Sequence, residues 1–294
     1  MQDRPQSIGR TAPGSRIARA GLVALAIALV VLATACATRP IVSIDERYPV
    51  ESLSRVRLLV EDGAVTVAEG RPGQILVTGE HPEGAHDYAA TVAAGEARIE
   101  LRKPRGLRGL RPVLGQRGAH LDVILPPGVT VEVEASNGPV TVTGPFRLER
   151  VKSANGAVHV NGALGALAIE TSNGPTSIQA HRGQLEIKGS NGQVDVVEQR
   201  DGGVSITTSN GAIRYHGTIE GAGANLFETS NGFLEVIVAG TPSFTLDATT
   251  SNGGITSKFA LLDGTKSDSR LTGRVGDGPT KLVVRTSNGA IEVR

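Results

Sequence analysis

The side chains that could do chemistry are few, and most stand far apart. Asp195, Glu198 and Asp201 come nearest to the carboxylate cluster that polysaccharide-cleaving β-helix enzymes need, beside a bend after Asn191. Six histidines (81, 86, 120, 159, 181 and 216) share no common spacing, so they form no column of ligands or bases, and solvated surface is expected for them. The one cysteine, Cys36, excludes an intramolecular disulfide, and no Cys/His spacing of a metal site exists. Gly-x-Ser-x-Gly, the P-loop, the dinucleotide-binding glycine pattern and the calcium-binding nonapeptide are all absent. No catalytic residue, cofactor or metal ligand is therefore assigned. The segment 102–117 is the most pointed feature that remains. It carries Arg102, Lys103, Arg105, Arg108, Arg111 and Arg117 and no acidic residue. Such a run suits contact with phosphates or carboxylates of anionic lipid or envelope polymer, or is a solvated insertion. Nucleic acid is not expected as a partner: the net charge is only +1, and no aromatic side chains interleave with the arginines.

The beginning of the chain reads as an address. Arg4, Arg10, Arg16 and Arg19 precede an apolar run from Gly21 to Ala33. That run is short of the roughly 20 residues that span a bilayer core, but it fits the apolar region of a signal peptide. Leu32, Ala33, Thr34 and Ala35 then lead directly to Cys36. The arrangement resembles the lipobox of bacterial lipoproteins, with Ala33 where Leu is usual. The resemblance implies lipidation of Cys36; plain secretion and an uncleaved anchor are the alternatives. Acyl chains contribute about 0.8 kcal/mol per buried CH₂, so several on one residue hold a protein firmly. The expected organisation is a signal peptide (1–35), a lipidated cysteine and tether (36–49) and one β domain (50–294). The expected location is the extracytoplasmic side of a membrane. Ala37, rather than Asp, is compatible with the outer membrane where one exists.

An internal repeat dominates the rest. Asn-Gly recurs at Asn137, Asn155, Asn173, Asn191, Asn210, Asn231, Asn252 and Asn288, in steps of 18, 18, 18, 19, 21, 21 and 36. The last step reads as two periods with one degenerate turn. Four residues before each Asn stand Val133, Val151, Ile169, Ile187, Ile206, Phe227, Ala248 and Val284. Three residues after each stand Val140, Val158, Thr176, Val194, Ile213, Leu234, Ile255 and Ile291. Apolar alternation on both sides of a fixed turn means two short strands per period, each with one buried face. Antiparallel hairpins and a parallel solenoid both fit locally; the near-constant step favours the solenoid, with rungs roughly 4.8 Å apart. Position −3 then forms an outward column of alternating sign: Glu134, Lys152, Glu170, Lys188. Neighbouring opposite charges there would contribute about 0.2–1 kcal/mol per pair. At the corner, Gly permits close approach or a left-handed backbone, and stacked Asn amides can bond one another.

The same frame recurs upstream, where Val56 and Leu58 precede Asp62-Gly63 and Val65 and Val67 follow. Further strands are expected at 75–77, 97–101 and 121–125. This gives an irregular N-terminal part (50–130) and regular repeats (131–294). The run Ile-Leu-Pro-Pro-Gly-Val-Thr-Val-Glu-Val-Glu-Ala-Ser-Asn-Gly (124–138), the repeated Thr-Ser-Asn-Gly and the ending at 271–293 resemble the DUF4097 family over roughly residues 52–294. These are bacterial β-repeat proteins sometimes labelled adhesins. The resemblance implies an all-β, β-solenoid-like domain with no catalytic residues to carry over, and a link to envelope-stress signalling. The resulting expectation is a non-catalytic envelope lipoprotein, a scaffold or binding module whose partners are the membrane through its lipid, anionic lipid, envelope polymer or another envelope protein. The alternative is a carbohydrate-active β-helix enzyme.

Overall fold

A computed structural model describes residues 40–104, 118–221 and 224–294; the expected signal peptide (1–35) and Cys36 lie outside the described residues. The described chain is strands, turns and bends, without a helix. In chain order the first strands are β1 (Ile41–Pro49), β2 (Arg55–Val60), β3 (Gly63–Glu69), β4 (Gln74–Pro82), β5 (Asp87–Ala93), β6 (Glu96–Arg102) and β7 (Ala119–Leu125). The regular rungs follow as pairs: β8 (Thr130–Asn137) and β9 (Val140–Thr143), β10 (Arg147–Asn155) and β11 (Val158–Asn161), β12 (Leu167–Asn173) and β13 (Thr176–Gln179). Next come β14 (Leu185–Asn191) and β15 (Val194–Gln199), β16 (Val204–Asn210) and β17 (Ile213–Gly217), β18 (Ala224–Asn231) and β19 (Leu234–Val238). The chain ends with β20 (Phe244–Asn252), β21 (Ile255–Ser257), β22 (Leu262–Lys266), β23 (Arg270–Val275), β24 (Thr280–Asn288) and β25 (Ile291–Val293).

Each rung puts its first strand in a 13-stranded sheet and its second in a 12-stranded sheet, and like strands pair in parallel from rung to rung. Hairpins are thereby excluded: Asn155 faces Asn173, and Asn173 faces Asn191. The −4 and +3 columns supply the core between the sheets, and every member of both is buried. Val, Ile and Leu suffice because each layer repeats the one below, so little irregular space is left for aromatic rings. Where the rungs lengthen after Asn210, Tyr215 and Phe227 fill the added room with ring centroids 4.9 Å apart. A third, minimal ladder closes the opposite corner through Arg147, Leu164, Arg182 and Arg200. Beneath it lie Phe146, Ala163, His181 and Gln199, all fully buried.

The corners explain their own sequence. From Asn252 to Asp62 the side chains form one unbroken ladder, each Asn Nδ2 donating to the Oδ1 of the next rung at 2.8–2.9 Å. Asn137 makes the final donation, to the Asp62 carboxylate. None of these asparagines has a positive φ, so Asn is required for its amide and not for a left-handed backbone. Gly is required mainly by crowding. A Cβ on Gly156 would overlap the carbonyl of Gly138, and one on Gly232 would overlap that of Gly211, although only Gly156 has a left-handed φ, at +157°.

Three expectations are corrected. Residues 41–49 are not tether; they form β1, antiparallel to β4 over its whole length. The 36-residue step hides no degenerate rung. Residues 255–275 form the short β21 and the antiparallel pair β22–β23, and β24–β25 insert between the rungs β18–β19 and β20–β21. The Asp62 rung is displaced in the same way, lying between β6–β7 and β8–β9. Finally, His81, His86 and His181 are buried, not solvated. His181 reaches the carbonyl of Ala163 through Nδ1 at 2.9 Å. Burial lowers its pKa, against the hydrogen bonds to the Gln184 and Ala163 carbonyls.

Candidate anion-contact surface

Nine rungs turn the ladder corner with two residues between their strands, as β8 and β9 do with Gly138 and Pro139. The rung β6–β7 instead opens a long insertion between Arg102 and Ala119. Its strands need none of it, because β2 and β3 hold them in register over their full lengths. The basic segment thus enters where the ladder ends. Lys103 pairs with the same Asp62 carboxylate that closes the ladder, and its backbone N–H donates to Glu61 Oε2 at 2.9 Å. Arg105, Arg108, Arg111 and Arg117 lie outside the described residues.

Beside this root, the outer face of the 13-stranded sheet carries a recess of about 260 Å³ lined by Arg57, Arg98, Arg150, Lys152, Glu132 and Glu134 among others. The strands impose this grouping. Arg57 stands directly opposite Arg98 on one side and Glu132 on the other, and Glu132 stands opposite Arg150. Most of the charges are matched: Arg57 pairs with Glu132 at 3.2 Å, Arg55 with Glu132 and with Glu149, and Arg102 with Glu100 at 2.9 Å. Burial would raise the Glu100 pKa, but the hydrogen bond from Arg98 and the charges of Arg102 and Arg98 hold it below the usual carboxylate value. The described part of the face is therefore close to neutral, and the excess positive charge comes from the insertion.

The alternating column is in register, Glu134 beside Lys152 beside Glu170 beside Lys188. Its members do not pair along it. Glu170 pairs with Arg150 at 2.8 Å and Lys188 with Glu186 at 2.5 Å, while Lys152 makes no ion pair among the described residues. The hydrogen bond to Glu186 and that carboxylate's charge raise the Lys188 pKa, with Glu170 adding less.

The acidic trio does not assemble into a site. Asp195 accepts a hydrogen bond from Gln193 Nε2 at 2.6 Å and faces Arg214 at 3.5 Å. Glu198 and Asp201 instead serve the opposite corner, both with left-handed φ near 60° (59° and 60°). Among the described residues no three His, Cys, Asp or Glu side chains are grouped to hold a metal ion.

A family model described as Toastrack DUF4097 matches residues 55–294. No curated protein matches the chain. Among solved structures, a candidate cell adhesion protein from Clostridium sporogenes ATCC 15579 has 11% identity and a TM-score of 0.27, with 86% of this chain and 99% of that one covered. A candidate adhesin from Bacteroides fragilis NCTC 9343 has 10% identity and a TM-score of 0.33, with 86% and 97% covered.

Proposed function

The chain belongs to the Toastrack DUF4097 family, and we propose that it is a non-catalytic module of the bacterial cell envelope that binds an anionic surface. In this reading Cys36 carries the lipid that anchors it, and the insertion 102–117 supplies the contact. One observation carries the reading. A corner that the fold closes elsewhere with two residues is expanded here into a segment with several cations and no acid, on a rung that does not need it. The strand β1, which leads back towards Cys36, lies at the same end of the stack. Near an anionic bilayer each cation contributes about 1 kcal/mol, within a Debye length of roughly 8 Å at physiological salt.

The test uses protein lacking residues 1–36. Sedimentation with vesicles of graded anionic lipid content reads binding to a membrane, and soluble polyphosphate as competitor reads binding to an anionic polymer. Binding should rise with anionic content, fall with salt, and largely vanish when Arg102, Lys103, Arg105, Arg108, Arg111 and Arg117 all become Gln. Equal binding to neutral and anionic vesicles, with no effect of polyphosphate, would sink the reading. Independently, Cys36→Ser should release the protein from membranes or leave an unprocessed precursor; unchanged partitioning would remove the anchor.

A further inference from the structure

The two ends of the stack are stepped in opposite senses. At the N-terminal end, β6 and β7 belong to one rung; beyond it the 12-stranded sheet continues for two strands, β4 and β1, and the 13-stranded sheet for only one, β5. The inner face of β1 therefore overhangs an empty strand position beside β5. Val42, on the same face as the buried Ile44, stays 38% exposed there. At the C-terminal end, β20 and β21 belong to one rung; the 13-stranded sheet continues past it with β23 and β22, and the 12-stranded sheet stops at β21.

The outermost strands differ in how they resist pairing. Strand β1 carries Asp45, Glu46 and Arg47 and ends in a proline, and β21 has three residues. Strand β5 has no such defence. It pairs with β6 at every one of its residues without a bulge, contains no proline and no cation, and bears the single charge of Asp87. Its outer N–H and C=O groups are a template for another strand. Every residue of β22 is exposed, and Leu262, at 54%, is the most exposed large apolar side chain of the described residues.

We infer that copies of this chain associate head to tail, β22 of one copy entering the step beside β5 of the next and covered by its β1. Three features fit this occupant. The overhangs lie in opposite sheets at opposite ends, one strand deep at the N-terminal end and two at the C-terminal end, so β22 fits the vacant position that β1 overhangs. The polarity is right: β5 runs against the rungs, whereas β22, separated from β20 by two antiparallel pairings, runs with them, so the new pair is antiparallel. The charges match as well. Glu46, on the same face of β1 as Ile44, overhangs the step, and Lys266 on β22, opposite the buried Leu271, makes no ion pair among the described residues. A heterologous contact of this kind does not close on itself, so it builds an open row of prisms. The bulge between Leu262 and Thr265 limits the pairing to a few residues and keeps the row reversible.

Sedimentation velocity of the full chain in detergent, over a range of concentrations, tests this. The wild type should show a weight-average mass that keeps rising past the dimer. Glu46→Lys at one end, or Lys266→Glu at the other, should each leave monomers with unchanged thermal unfolding. Mixing the two variants should restore association, because reversed ends then meet. A wild type that stays monomeric, one that stops at a dimer, or variants that assemble like the wild type would each overturn the inference.

Discussion

Gly232→Ala should be among the most damaging single-methyl changes in the protein, for a reason that backbone conformation does not supply. Gly232 has no left-handed φ, so Ala is not excluded by its own geometry. The new Cβ would stand well within 3.0 Å of the Gly211 carbonyl oxygen, a separation that real Cβ atoms do not show, and that oxygen belongs to rigid backbone. The two rungs must part. Four bonds join those two rungs at the corner: Gly211 N–H to Asn231 O at 3.0 Å, Ile213 N–H to Phe233 O at 2.9 Å, the amide bond from Asn231 to Asn210 at 2.9 Å and the Thr229 hydroxyl to Gly211 O at 3.1 Å. At about 0.5–1.5 kcal/mol net each, weakening them costs about 2 kcal/mol. Overpacking adds about 1–3 kcal/mol. The expected loss is about 3–5 kcal/mol, or roughly 6–20 °C in Tm at about 2–4 °C per kcal/mol. Gly240→Ala is the control. Its φ is +81° but nothing lies within 4 Å of the new Cβ, so only backbone strain of about 1 kcal/mol applies. Thermal unfolding by circular dichroism ranks the two. If Gly240→Ala proves the costlier, backbone freedom and not rung spacing explains the corner glycines.

Further outcomes follow from single features. Ile187→Asp places an unpaired carboxylate at a fully buried core position and should destabilise by several kcal/mol in urea titration, whereas an unchanged midpoint would mean the column does not face inward. Lys152→Glu should cost less than about 1 kcal/mol, and a double-mutant cycle with Glu134→Lys should show coupling below about 0.5 kcal/mol, because the two stand side by side without an ion pair; coupling above 1 kcal/mol would contradict the geometry. His181 titrates below the ordinary value of 6.5 in the fold, so the unfolded chain takes up its proton first as pH falls. Stability from this residue is present above about pH 6.5 and declines below it, and His181→Gln should flatten that decline in unfolding curves at pH 7 and pH 5. An unaltered pH slope would remove His181 as a contributor.

The interior was legible because its signal is local and repeated. An apolar residue four before and three after each Asn can be found without knowing which rung lies next to which; Thr176 is the one polar member, and it is buried like the rest. Spatial order was not legible, for the same reason. Asn288 carries the same corner as Asn252, so nothing near it reveals that its rung lies between two earlier ones. The charge column illustrates a finer limit. Register placed Lys152 between Glu134 and Glu170, yet side-chain reach gave Glu170 to Arg150. Ion pairs depend on how long side chains lean, which period-two patterning does not encode. Strand β1 was missed because only Ile44 of its nine residues is buried, leaving little alternation to read. Of the basic segment, sequence identified the composition, and the structure added that its root replaces a ladder corner.

The position of β24 and β25 also bears on how the protein is made. They are synthesised after β20 and β21, yet they lie between that rung and the rung of β18 and β19. A stack that grows rung by rung as the chain emerges therefore pauses after Asn231. Strand β20 must either wait without its neighbour or settle against β18, where its Asn corner fits equally well, and be displaced when residues 280–293 arrive. Throughout that interval a strand edge stays open to other chains, the state from which β proteins aggregate. The uniform corner that makes the finished stack continuous thus leaves its order of assembly ambiguous, and delivery of the closing segment sets how long the ambiguity lasts.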